Sequence, residues 1–325
     1  MALRLVDHWV WDFWHVVDGD TYHLFFLKAP RSLGDPDLRH WSPSIGHAVS
    51  SDLREWTVLP DALAPAPPPA WDDRTTWTGN VARAGGRWHL LYTGTSHAED
   101  GLVQRVGRAV SSDLVTWVRA GEHPAFELDE RWYDTLDLDE WHDQAWRDPC
   151  LVHHDGEWHA LVTARRRGGH RLERGTIGHA TSPDLVTWTV HPPLTGGTPF
   201  GHLEIPDVRR VGNRWYLLFS TSADAIGPNR RGGAALEAGA FAVPSTGGPL
   251  GPWDWDRLRP VLGGGWYGVK LIDRAAGDSG EKARTDLVAL AWREREADGS
   301  FGGWISDPMP VAVDSEGFVI TPRQT

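Results

Sequence analysis

The sequence predicts an all-β fold: a five-bladed β-propeller with a central funnel-shaped active site, made by residues 1–325 as a single domain. Three observations carry this. A turn segment recurs as "GHAVSSDLREWTVL" from Gly46, "GRAVSSDLVTWVRA" from Gly107 and "GHATSPDLVTWTVH" from Gly178. Each joins a glycine, a short alternating run, an Asp-Leu pair and a tryptophan four residues after the aspartate. A second segment, a turn dipeptide leading into a β-rich run, precedes each one, which is a hairpin signature. The unit spacing of roughly 60 to 70 residues accommodates about four short strands, as a propeller blade requires.

The elements follow in order. Blade one holds "DGDTYHLFFL" from Asp18 and the first turn segment. The proline-rich "LAPAPPPAW" (63–71) is an interblade loop. Blade two holds "GGRWHLLYTG" from Gly85, blade three "DGEWHALVTA" from Asp155, and blade four "GNRWYLLFST" from Gly212. Blade five is assigned to 253–325, with strands at "TDLVALAWRE" and "GFVIT", and "RAAGDSG" leading into "EKARTDL" reads as an exposed hairpin tip. The competing architecture is two stacked β-sandwiches.

Twenty tryptophans against nine phenylalanines and five tyrosines is a strong bias. The repeats explain much of it. Trp56, Trp117 and Trp188 are equivalent, as are Trp88, Trp158 and Trp215, and all six are expected to pack between blades. Trp11, Trp14 and Trp77 fall outside the repeated positions.

A net charge of −12 disfavours nucleic acid as a partner. No apolar run approaches the roughly 20 residues of a membrane span. The start, "MALRLVDHWV", lacks a charged segment followed by an apolar one, so the expected location is cytoplasmic, with a trimmed secreted form left open. Cys150 is the sole cysteine and is expected to be a small buried hydrophobe. The sequence says nothing of the oligomeric state.

In a propeller the first strand of each blade lines the channel. Reading back from the hairpins gives "VWDFW" (10–14), "TWTGN" (76–80), "WRDPC" (146–150) and "HLEIPDV" (202–208). Three carry a carboxylate in an apolar strand: Asp12, Asp148 and Glu204. Burying an unpaired carboxylate is costly, and three at one level of successive blades point to a shared task. Adjacent strand residues face opposite ways, so spacing alone argues against a simple Arg147–Asp148 salt bridge. Such carboxylates are the equipment of a glycosidase: one attacks the anomeric carbon or activates water, and a second, with a raised pKa, protonates the leaving oxygen. Tryptophan faces suit the apolar faces of sugar rings, which fits Trp11 and Trp77. A carbohydrate is therefore the expected partner.

The four motifs, in that order, resemble the signature of the five-bladed glycoside hydrolases of families 32 and 68, the invertases, levanases, inulinases and levansucrases. The first motif looks most like the levansucrase branch, and the lack of a long C-terminal extension suits that branch. The resemblance implies a retaining β-fructofuranosidase acting on sucrose-like or fructan-derived oligosaccharides. It makes Asp12 the nucleophile, Asp148 the transition-state stabiliser and Glu204 the general acid/base. Trp77, Thr78 and Arg147 would line the sugar site and Trp11 would flank the nucleophile. A fructosyltransferase, an arabinofuranosidase and a non-catalytic sugar-binding propeller are the alternatives. His15, Thr78, Asn80 and Ile205 depart from the resembled pattern.

His202, two residues before Glu204, is placed within reach of the pocket. His23, His89 and His159 recur at one blade position, which argues for packing or hydrogen bonding. No histidine pair has zinc-ligand spacing, so no metal and no cofactor are expected. The acidic, tryptophan-rich segment 131–146 is the candidate selectivity loop.

Overall fold

The computed structural model describes residues 2–228, 236–275, 285–315 and 317–322. Its strands form five separate antiparallel sheets, each laid out in chain order from the inside outwards. The innermost strands are His8–Asp18, Thr75–Ala84, Trp146–His154, Glu204–Val211 and Trp266–Ala275, and each contacts the next around a closed ring. This is the five-bladed propeller, not a pair of sandwiches.

The expected boundary of blade five moves. Gly251–Trp253 and Arg259–Leu262 both pair with Gly239–Gly248 and so complete blade four, and blade five starts at Trp266. Thr285–Arg295 and Phe318–Ile320 are strands of blade five as expected. The anticipated hairpin tip between them falls mostly on 276–284, outside the described residues. The ring is closed through the N-terminus. Leu3 exchanges both backbone hydrogen bonds with Ile305, at 2.9 and 3.1 Å, tying the segment before blade one to blade five.

The repeated segments have clear local causes. The four expected hairpins close with two-residue turns at Gly19-Asp20, Gly85-Gly86, Asp155-Gly156 and Gly212-Asn213. The first residue of each has positive φ, which the tight turns matching strand twist demand. In the Ser-x-Asp-Leu turns, Asp52, Asp113 and Asp184 each accept the backbone N–H groups two and three residues on. The following Leu53, Leu114 and Leu185 sit at φ 62 to 64 and are buried, so each trades backbone strain for an apolar anchor. The glycine that opens the segment is needed for close approach: a Cβ on Gly107 would lie 2.6 Å from both Trp71 and Tyr92, and one on Gly178 2.5 Å from Trp146.

Four apolar clusters fill the interblade spaces. Trp56, Trp88, Trp117 and Trp188 pack into them as expected. Trp158 and Trp215 do not; both are half-buried, and Trp158 lies against His153 at 4.7 Å. Trp88 at the equivalent position is buried, so nothing in the position itself keeps these two out. The recurrent histidines hydrogen-bond across strands, His23 to His47 and His159 to His179, both at 3.0 Å. Cys150 is buried, and burial pushes its thiol up to about 12.

Candidate active site

The innermost strands share one device. In each of the five, the pairing register shifts by one residue at the same level: around Asp12, Thr78, Asp148, Ile205 and Gly268. Asp148, Ile205 and Gly268 take positive φ there, at 56°, 52° and 62°. A bulge inserts an unpaired residue and bends the strand, so neighbouring side chains no longer alternate between faces. That corrects the expectation for Arg147 and Asp148. Both point into the funnel, with Arg147 Nε 3.6 Å from Asp148 Oδ2.

The funnel encloses about 490 Å3. Every residue singled out from the sequence lines it: Asp12, Asp148, Glu204, Trp11, Trp77, Thr78, Arg147 and His202. Trp14 does not; it is buried and stacks on Phe25 at 6.0 Å. The tryptophans of the first motif thus divide between pocket and core.

Thr78 Oγ1 donates to Asp12 Oδ2 at 3.3 Å, and Asp12 Oδ1 is buried without a hydrogen-bond partner. Asp148 Oδ2 accepts from Thr163 Oγ1 at 3.0 Å and from the Ile205 backbone N–H at 3.1 Å. Glu204 is gripped at both oxygens: Arg147 Nη2 donates to Oε1 at 2.7 Å and Tyr267 donates to Oε2 at 2.5 Å. Arg147 Nη1 in turn donates to Gln104 Oε1 and Asp143 Oδ2, both at 3.1 Å. His202 Nε2 stands 3.6 Å from Glu204 Oε2.

These contacts set the charges. Burial, reinforced by the nearby Asp148 and Glu204 carboxylates, pushes Asp12 up to about 8. Burial opposes the ionisation of Glu204 as well, but His202, Arg147 and Tyr267 overcome it and hold Glu204 at about 2. Burial raises Asp148, with Arg147 working against the rise. Burial keeps His202 below its ordinary value, with the Glu204 carboxylate working against the fall. The sequence reading puts the raised pKa on the acid that protonates the leaving group. The electrostatics reverse that order: burial raises Asp12, while His202, Arg147 and Tyr267 hold Glu204 low.

Several lining residues escaped the sequence reading: Arg39, Gln104, Tyr267 and Glu294, with His142 and Asp143 known only as members of the flagged 131–146 loop. Tyr267 had a signal. It lies beside the bulge of blade five's inner strand, the position equivalent to the four motifs. Arg39 had none, being in a short 3-10 helix (Pro36–Trp41) before the third strand of blade one. In the flagged loop, His142 and Asp143 reach the funnel while Trp146 is buried in the core. Among the described residues no cluster of acids, histidines or cysteines is arranged to hold a metal ion.

A family model described as "Glycosyl hydrolases family 32 N-terminal domain" matches residues 15–237, beginning just after Asp12. The "Beta-fructofuranosidase, insoluble isoenzyme 7" of Oryza sativa subsp. indica is 31% identical over 63% of this chain and 32% of its own. The "Sucrose-6-phosphate hydrolase" of Bacillus subtilis (strain 168) is 26% identical over 58% of this chain and 36% of its own. The matches thus span about a third of the length of these curated relatives. Among solved structures, an inulosucrase from Halalkalicoccus jeotgali bound to kestose superposes with a TM-score of 0.75 at 19% identity, over 98% of this chain and 88% of that one. At that identity the likeness is one of fold. The sequence reading leaned towards the levansucrase branch on its first motif, whereas the family model that matches is that of family 32.

Proposed function

The chain belongs to glycosyl hydrolase family 32, and on that premise we propose that it is a retaining β-fructofuranosidase. The observation that carries this reading is the convergence of Asp12, Asp148 and Glu204, from three different blades, on one funnel of about 490 Å3. In the proposed reaction the Asp12 carboxylate attacks the anomeric carbon of a fructosyl unit. Glu204 gives its proton to the glycosidic oxygen as that bond breaks. Water then loses a proton to Glu204, attacks the same carbon and frees Asp12. Arg147 and Asp148 bind sugar hydroxyls, and the Asp148 carboxylate stabilises the positive charge that develops at the ring.

The resting charges impose an extra step. Turnover needs Asp12 ionised and Glu204 protonated, the reverse of what these shifts favour. When Arg147 turns part of its donor capacity to sugar hydroxyls, its hold on Glu204 slackens. Glu204 then rises, and the cluster's shared proton moves from Asp12 to Glu204.

The lining also favours a neutral substrate. Asp12, Asp143, Asp148, Glu204, Asp224 and Glu294 face two guanidiniums, Arg39 and Arg147. Arg147 is already paired with carboxylates, and Arg39 donates to the Pro36 carbonyl and Asp37. Arg39 Nε is buried without a partner, but carboxylates outnumber guanidiniums six to two on this lining, so a sugar phosphate would meet net repulsion.

The test is hydrolysis of sucrose, inulin, levan and aryl furanosides by the wild type and by Asp12→Ala. Asp12-dependent release of β-configured fructose, and a higher kcat/KM on sucrose than on sucrose 6-phosphate, are expected. A wild type inert on every fructoside overturns the reading, and activity that persists in Asp12→Ala overturns the nucleophile.

A further inference from the structure

Blade three extends its recurrent histidine pair into a ladder. His159 Nδ1 lies 3.0 Å from His179 Nε2, with the two rings 5.3 Å apart and within 9° of parallel. His179 faces His191 on the next strand at 5.1 Å, and His191 Nε2 bonds Thr181 Oγ1 at 2.8 Å. Tyr133 ties into this ladder from outside the sheet. Its hydroxyl accepts the His179 backbone N–H at 3.1 Å and donates to the His191 carbonyl at 2.7 Å. The tyrosine is buried, and its ring lies 4.7 Å from that of Trp146, the residue before Arg147. It belongs to segment 131–146, which sends His142 and Asp143 into the funnel.

The ladder tolerates little charge. A hydrogen bond between two imidazoles needs one unprotonated nitrogen, so the His159–His179 bond survives one added proton and not two. At the inner end His154 stands 3.4 Å from Asp155. Glu157 is the carboxylate that acts on His159, and none among the described residues acts on His179. Burial raises Tyr133, so its hydroxyl stays protonated. Burial lowers both histidines, His179 to about 4, with His159 and His191 adding to the fall of His179. Groups lowered on folding stabilise the fold fully above their ordinary value of 6.5, and that contribution is lost as pH falls towards about 4.

Blade two shows what a permanent charge requires at this position. There Arg108 takes the place of the second histidine, 3.4 Å from His89. Ala120 pairs with it where blade three has His191, Asp184 attracts the guanidinium, and a groove of about 550 Å3 runs alongside. Blade three fills the same place with a third imidazole.

We propose that the blade-three ladder is an acid-sensitive anchor for the funnel wall, with Tyr133 as its positioning residue. When two of the imidazoles carry charge, their repulsion parts Gly175–Ser182 from Thr189–His191, frees Tyr133 and loosens segment 131–146. Arg147 then loses its 3.1 Å contact with Asp143, and turnover falls. Nothing in this anchor depends on the fructosidase reading, which supplies one readout only.

The experiment is hydrogen exchange of the full chain at about pH 7 and about pH 4.5, corrected for intrinsic rates and read on segment 131–146. It compares the wild type, His159→Gln with His179→Gln, His23→Gln with His47→Gln, and Tyr133→Phe. Glutamine keeps a hydrogen-bonding group and removes the titration. Acid should speed exchange about tenfold in the wild type and in the blade-one variant, but not in the blade-three variant. Tyr133→Phe should exchange fast at both pH values. The blade-three variant should also keep a larger share of its neutral kcat/KM on sucrose in acid than the wild type does. A wild-type segment equally protected at both pH values overturns the proposal, and so does acid loosening that survives in the blade-three variant. If that variant does not fold, His191→Gln, at the half-buried end of the ladder, carries the same test. A protein that hydrolyses no fructoside overturns the fructosidase reading and leaves the exchange result to decide this one.

Discussion

Arg147 donates to Glu204 at 2.7 Å while standing 3.6 Å from Asp148 and 3.1 Å from Asp143, so one guanidinium balances three carboxylates from three stretches of chain. The four groups are largely buried, and each of the three carboxylates favours the charged guanidinium. Replacing Arg147 by methionine keeps much of the volume but strands the acids. Removing one partner of a buried ion pair costs about 3–5 kcal/mol. Arg147→Met should therefore lower the urea midpoint by that equivalent and abolish hydrolysis. Arg147→Lys should rescue stability in part but not activity, because a point charge cannot reach all three acids. A fully stable, inactive Arg147→Met would confine the role of Arg147 to the substrate.

Tyr267→Phe is expected to act on rate more than on stability. The tyrosine hydroxyl donates to the ionised form of Glu204 and helps hold that carboxyl at about 2. Without it Glu204 rises, and the acid limb of the kcat/KM profile moves to higher pH. An unmoved acid limb would mean that Tyr267 serves only to pack.

How legible was this molecule in its sequence? The blades were readable because the turn chemistry repeats: Asp52, Asp113 and Asp184 do the same capping and Leu53, Leu114 and Leu185 take the same left-handed backbone. The three acids were readable because each stands in an apolar strand before a hairpin. Strand alternation then misled for Arg147 and Asp148, since a bulge leaves no mark in a period-two pattern. The ordering of the carboxyls was not legible either. It depends on Tyr267, which comes from blade five and reaches Glu204 across 63 positions of sequence. The last blade was misjudged at its start because Gly251–Trp253 and Arg259–Leu262 both pair with Gly239–Gly248 and give blade four five strands, where the first three blades have four.

The repeated glycines offer a stability test away from the funnel. A Cβ at Gly107 would sit 2.6 Å from Trp71 and Tyr92, where two rings already stack at 6.0 Å. Overpacking of this kind costs about 1–3 kcal/mol. Gly107→Ala should lower the melting temperature while leaving the pH profile of activity unchanged. Gly196→Ala serves as the control, since nothing lies within 4 Å of its Cβ position.

Asp12 links stability to activity through one proton. Its folded value of about 8 lies above the ordinary 3.8, so the folded state holds this proton more tightly than the unfolded chain does. The stability it contributes is fully present below about 4. It declines as pH rises towards about 8 and is level beyond, where the folded carboxyl is also ionised. Asp12→Asn removes this dependence. Its melting temperature relative to the wild type should climb between pH 4 and 8 and then hold steady, at the cost of all hydrolysis. In the wild type, kcat/KM on sucrose should fall above about 8, because the cluster then loses the proton that Glu204 must deliver to the leaving oxygen. A stability gap that does not vary with pH would show that Asp12 is ionised throughout. The raised value would then be wrong, and with it the need for substrate to carry the proton across the funnel.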